Sequence, residues 1–139
     1  MNRCFVLVAL LSPLHACYAQ NDLKISVVLN RPQAGGVLRV ALCNSKGSFD
    51  TEKGCVLRSV PADANVVAVT YTDLPAGEYA VKVFHDINSD SELNTSWIGW
   101  PKEPYGFSND APVNMGPPPY RLAAFQLKDG ANSIRIALR

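Results

Sequence analysis

Histidine is nearly missing from this sequence: 139 residues hold two, and only His85 lies beyond residue 19. One imidazole and two cysteines, Cys43 and Cys55, make a poor zinc set over that stretch, and their spacing is not Cys-x-x-Cys. Net charge is also missing, because 13 basic side chains face 12 acidic ones. There is therefore no electrostatic footprint for nucleic acid or for an acidic membrane surface. Past the N-terminus no apolar run reaches spanning length, and neither an internal repeat nor a sustained heptad is found. Gly-x-Ser-x-Gly, His-Glu-x-x-His and the phosphate-binding loop are absent too. What is present is 47% hydrophobic composition, which fits one soluble domain around a single core.

The N-terminus reads as a secretory signal. Met1 to Arg3 is a short basic start, and the eleven residues from Cys4 to Leu14 are almost wholly apolar. That length is too short for a stable anchor and fits a signal core. Cys17 and Ala19 are the small residues before Gln20, so cleavage is expected after Ala19. This divides the chain into a signal peptide, 1–19, and one domain, 20–139. The domain keeps 12 basic and 12 acidic side chains, since the leader carries only Arg3. A second route is lipoprotein processing at Cys17, within Leu14-His15-Ala16-Cys17, although His15 is bulky for such a motif. A buried N-terminal helix is the third alternative. Both export routes predict a periplasmic or secreted protein. In an exported domain, Cys43 and Cys55 are expected to form a disulfide.

Beyond Gln20 the residues alternate as strands do. Leu23, Ile25, Val27 and Leu29 share one face, and so do Leu38, Val40 and Leu42 after Gly35-Gly36. Further strands are expected at 55–60, 66–72, 78–85, 122–127 and 134–138, separated by turn residues. Seven short strands without a strong amphipathic helix predict an all-β, seven-stranded β-sandwich, immunoglobulin-like in its strand pattern. With no Trp between the cysteines, a true immunoglobulin domain is disfavoured.

The stretch 86–120 has no such periodicity. Loops beyond about 15 residues are usually functional or disordered. This one carries Trp97, Ile98, Trp100, Tyr105, Phe107 and Tyr120, so one long ordered loop packed onto the sheet is expected. Asp86, Asn88, Asp90 and Asn94 stand at relative positions 1, 3, 5 and 9, the alternate oxygen donors with which a tight loop surrounds Ca2+. Position 6 is Ser91 instead of Gly, and position 12 is Trp97 instead of Glu. The alternative is a loop of Asx turns that needs no metal. Glu92 and Glu103 are further candidate carboxylates. Trp97, Trp100, Glu103 and Tyr105 are the candidate ligand-binding residues, by stacking on a sugar or peptide, unless the aromatic rings serve only to pack the loop. His85, in phase with Tyr79, Val81 and Val83, is expected to end an inward face.

Three motifs together carry a resemblance: Leu74-Pro75-Ala76-Gly77-Glu78-Tyr79-Ala80-Val81, His85-Asp86-x-Asn88, and the run from Gly99 to Asn109 (GWPKEPYGFSN). They resemble the bacterial exported family known as domain of unknown function 2141, over roughly 23–138. The resemblance implies a transthyretin-like sandwich and brings no activity with it. The family pattern has Gly near Ser91 and Asp where Asn94 stands, and both departures weaken a cation site.

Two functions follow as expectations. The first is a non-catalytic binding or structural module of the cell envelope, with the 86–120 loop as contact surface for an envelope protein, peptide or glycan, acting as a monomer or weak oligomer. The second is a hydrolase on a transthyretin-like fold using loop carboxylates such as Asp86 and Glu103. Hydroxyisourate hydrolases of that fold need several His and Arg side chains and a Tyr-Arg-Gly-Ser-type C-terminus, and here the chain ends Ile136-Ala137-Leu138-Arg139.

Overall fold

The computed structural model describes residues 20–139, so the expected signal segment and Cys17 lie outside the described residues. Among the described residues eight strands form two sheets: β1 (Asn21–Val28), β2 (Val37–Cys43), β3 (Val56–Pro61), β4 (Val66–Leu74), β5 (Gly77–Asp86), β6 (Tyr105–Phe107), β7 (Phe125–Leu127) and β8 (Ala131–Ala137). Two short helices, α1 (Lys46–Thr51) and α2 (Tyr120–Ala123), join them. One sheet has the order β4-β1-β8, with β1 antiparallel to β4 and parallel to β8. The other runs β3-β2-β5-β6, and β7 pairs with the first residues of β5, so β6 and β7 share one edge.

Period-2 alternation builds the core. Leu23, Ile25 and Val27 of β1 and Val69 and Tyr71 of β4 meet Leu38, Val40, Leu42, Val81 and Val83 from the other sheet, all buried. Each such side chain contributes roughly 1.5–3 kcal/mol relative to an exposed one. The Tyr71 hydroxyl is placed to donate to the carbonyls of Val40 and Val56, each at 3.3 Å. Burial pushes its pKa up to about 12, against the opposing pull of Arg58.

The seven-strand expectation is corrected in three places. Tyr105–Phe107, inside the expected loop, is an eighth strand paired with Lys82–Phe84 of β5. The strand expected at 122–127 begins only at Phe125, because Tyr120–Ala123 is helical. The polar turn after β2 holds α1, started by a capping box. Ser45 Oγ accepts from Ser48 N–H, and Ser48 Oγ accepts from Ser45 N–H.

These pieces cover the outer face of the larger sheet. Phe49 of α1 packs with Phe107, Ala41, Cys43, Ala80 and Ala123 in a second, smaller core. The Cys43–Cys55 disulfide spans α1, as expected. Buried Ser108 braces this layer, its Oγ accepting from Val81 N–H at 2.9 Å and donating to Ala123 O at 2.5 Å. Gly106 permits the close approach that joins the sheets at this edge. A Cβ there would stand 2.8 Å from Ile136 Cγ2, and the backbones of Tyr105 and Arg139 exchange two hydrogen bonds.

Candidate functional site

The loop after β5 is held by its own carboxylates. Asp86 ends β5 with a fully buried side chain. Its Oδ2 accepts from Arg39 Nε at 2.7 Å and from Ser91 N–H at 2.9 Å, and its Oδ1 accepts from Asp90 N–H at 3.1 Å. Burial alone would raise its pKa. The Arg39 guanidinium and the two N–H groups outweigh burial and hold the carboxyl below the ordinary 3.8. Asp90 repeats the arrangement at the surface. Its Oδ2 accepts from the side-chain amides of Asn88 (2.8 Å) and Asn94 (2.9 Å), and its Oδ1 accepts from Glu92 N–H (2.9 Å). These bonds, that to Asn94 first, lower its pKa. Glu103 is buried and closes the loop from its far end, accepting from Ile87 N–H at 2.8 Å and Asn94 N–H at 3.0 Å.

Asp86, Asn88, Asp90 and Asn94 thus stand together, but each carboxylate oxygen already accepts at least one hydrogen bond. Among the described residues no three His, Cys, Asp or Glu side chains form a metal cluster. Ser91 has φ +71°, a backbone that glycine enters more easily.

Beyond Asn94 the chain turns back on itself. Thr95 bridges Pro101, Lys102 N–H donates to Asn94 O at 2.8 Å, and Gly99 N–H closes a turn on Ser96 O at 2.9 Å. Trp97 and Ile98 are the tip of this turn. Trp97 is 96% exposed, Ile98 57% and Trp100 54%. Here the expectation that the aromatic residues pack onto the sheet is corrected. Tyr105 and Phe107 do so within β6, whereas both tryptophans face outward, because the turn that displays them is closed by its own backbone.

An apolar pocket of about 390 Å³ opens beside this tip. It is lined by Leu93, Ile98 and Trp100, by Tyr105 and Phe107 of β6, and by Val113 and Met115. Met115 is 92% exposed. Of the four ligand candidates, Trp100 and Tyr105 line the pocket, Trp97 stands outside it, and Glu103 is committed to the loop backbone.

The same sheet face carries a second cavity of about 200 Å³, lined by Arg39, Lys82 and Phe84 among others. Strand register makes the two cavities neighbours, since Phe84 pairs with Tyr105 and Lys82 with Phe107. The Val113–Met115 wall and Arg39 were not among the expected site residues. Arg39 alternates with the buried Leu38 and Val40, a weak signal for an outward-facing cation, and Val113–Met115 carries no periodic signal.

Fold and site together define a two-sheet β-sandwich that displays an apolar pocket on a hydrogen-bonded loop. The chain matches the family described as "uncharacterized protein conserved in bacteria (DUF2141)" over residues 27–135, and it belongs to that family. No curated protein and no solved structure matches it.

Proposed function

We propose that this chain is an exported cell-envelope β-sandwich, transthyretin-like in type, that works as a non-catalytic binding or structural module. Its contact surface is the 86–120 loop around the apolar pocket. The observation that carries this reading is the pocket of about 390 Å³ lined by Ile98, Trp100 and Met115, all exposed. Concave apolar sites of this size, rimmed by aromatic residues, are where proteins take up apolar groups. The disulfide agrees with an oxidising compartment. A binding role is favoured over hydrolysis because Asp86 and Glu103 spend their oxygens on backbone N–H groups, and a general acid needs a raised pKa where that of Asp86 is lowered.

In this reading the loop is braced by its own Asx turns. A calcium-stabilised loop is the second reading, suggested by the alternate oxygen donors Asp86, Asn88, Asp90 and Asn94. The Asn88 and Asn94 amides turn their N–H groups toward Asp90, however, which favours the metal-free loop. The pocket is tested with a neutral naphthylamine dye whose fluorescence rises in apolar surroundings. Dilute wild-type protein should bind it. Trp100→Ala should weaken binding about tenfold, as for a central aromatic contact, and Lys24→Ala on β1 should leave it unchanged. A wild-type protein blind to the dye would overturn the reading.

A further inference from the structure

The larger pocket has no charged residue in its lining. The smaller cavity beside it is the reverse: Arg39, Arg58 and Lys82 line it, with Glu52 as its only acid. Counting also Asp86, the buried partner of Arg39, three cations face two carboxylates, which leaves one positive charge. Arg58 has no carboxylate partner among the described residues. The two cavities meet along β5. Lys82 and Phe84 line the basic one, and their cross-strand partners Phe107 and Tyr105, about 5 Å away, line the apolar one. Ser91 and Leu93 of the following loop divide between the cavities in the same way. Lys82 therefore stands at the junction. Its side chain is only 18% exposed, and its one acid, Glu52, lies 3.3 Å away and is 55% exposed. An ion pair as open as that is worth little in water, so another carboxylate can take Lys82 in exchange.

We propose that this surface binds a single-chain aliphatic carboxylate from solution, its alkyl chain in the apolar pocket and its carboxylate at Lys82 in the basic cavity. An apolar pocket with one charged group at its end is the arrangement that fixes such a ligand in one orientation. A neutral apolar molecule would leave the surplus charge unmatched, and a small polar anion would leave the apolar pocket unfilled. One surplus positive charge matches a carboxylate and not a doubly charged phosphate. This inference rests on the pocket reading above and names its ligand class.

Displacement of the neutral dye at neutral pH and low salt tests it, with decanoate, decanol and acetate as probes. Decanoate should displace the dye at a concentration about tenfold below that of decanol, and acetate should not displace it. Lys82→Gln should remove the preference for decanoate over decanol, Lys82→Arg should keep it, and Glu52→Gln should enlarge it. High salt should shrink it. Wild-type protein that yields to decanol as readily as to decanoate would overturn the inference and leave the pocket reading standing. So would a folded Lys82→Gln variant that keeps the preference, or displacement by anionic vesicles but not by free decanoate. A wild-type protein blind to the dye would overturn both readings.

Discussion

Asp86 sits at the last position of β5, where it joins Arg39 of the sheet to two amides of the following loop. Replacing it with Ala leaves Ser91 N–H without its acceptor, Asp90 N–H with only the longer bond to Asn88 Oδ1 at 3.4 Å, and Arg39, still largely covered, without its counter-ion. The expected loss is on the order of 2–4 kcal/mol in denaturant unfolding. The lowered pKa gives a sign to the pH dependence. A carboxylate whose folded pKa lies below its unfolded value stabilises fully above the unfolded value, and that contribution disappears as pH falls through the folded one. Wild-type stability should therefore drop below about pH 4, and an Asp86→Asn protein should show a flatter profile there. Millimolar calcium should leave the wild-type melting temperature where chelator leaves it. A calcium-dependent rise that Asp86→Ala abolishes would assign the ion instead.

At the scale of elements, α1 has six residues and survives only by packing. The Cys43–Cys55 disulfide holds its two flanks, and Phe49 then covers Ala41 and Ala80 on the outer face. Changing both cysteines to serine should cost about 3 kcal/mol, the chain-entropy value for a loop of this length. Much of that loss should appear as weakened near-ultraviolet dichroism, because Phe49 packs edge-on to Tyr120 with ring centroids 5.7 Å apart. Unfolding curves of the oxidised, reduced and double-serine proteins check this. The reduced and double-serine curves should coincide.

At the scale of the molecule, the sandwich is joined along the edge where β6 meets the end of β8. Tyr105 and Arg139 exchange backbone hydrogen bonds, Leu138 is buried, and Leu138 N–H donates to Val28 O at 2.9 Å. Removing Leu138 and Arg139 should cost about 2–5 kcal/mol, as loss of a buried leucine does. It should also speed hydrogen exchange at the Tyr105 amide while the β1–β4 amides stay protected. Since Tyr105 and Phe107 line the pocket, the same truncation should weaken dye binding.

Several of these features were legible in the amino-acid order itself. Leu23, Ile25, Val27 and Leu29 alternate over enough residues for the period to decide both strand and buried face, and His85 falls in phase with Val81 and Val83 as an inward residue with no exposure. The cysteine pair was legible because only two cysteines follow residue 19. The three motifs carried the family. Three residues, by contrast, are too few to show a period, so Tyr105–Phe107 is a strand only because β5 offers its edge there. Composition could not divide the loop's aromatic residues either. Tyr105 and Phe107 are held by pairing with β5, while Trp97 is raised on a turn closed by backbone bonds and by one from Trp100 N–H to Ser96 Oγ. Local period and residue type thus suffice for the longer strands, their buried faces and the disulfide. Which carboxylates brace the loop, and which indole stands in solvent beside a pocket, was decided by the tertiary structure, because both depend on contacts between segments far apart in the chain.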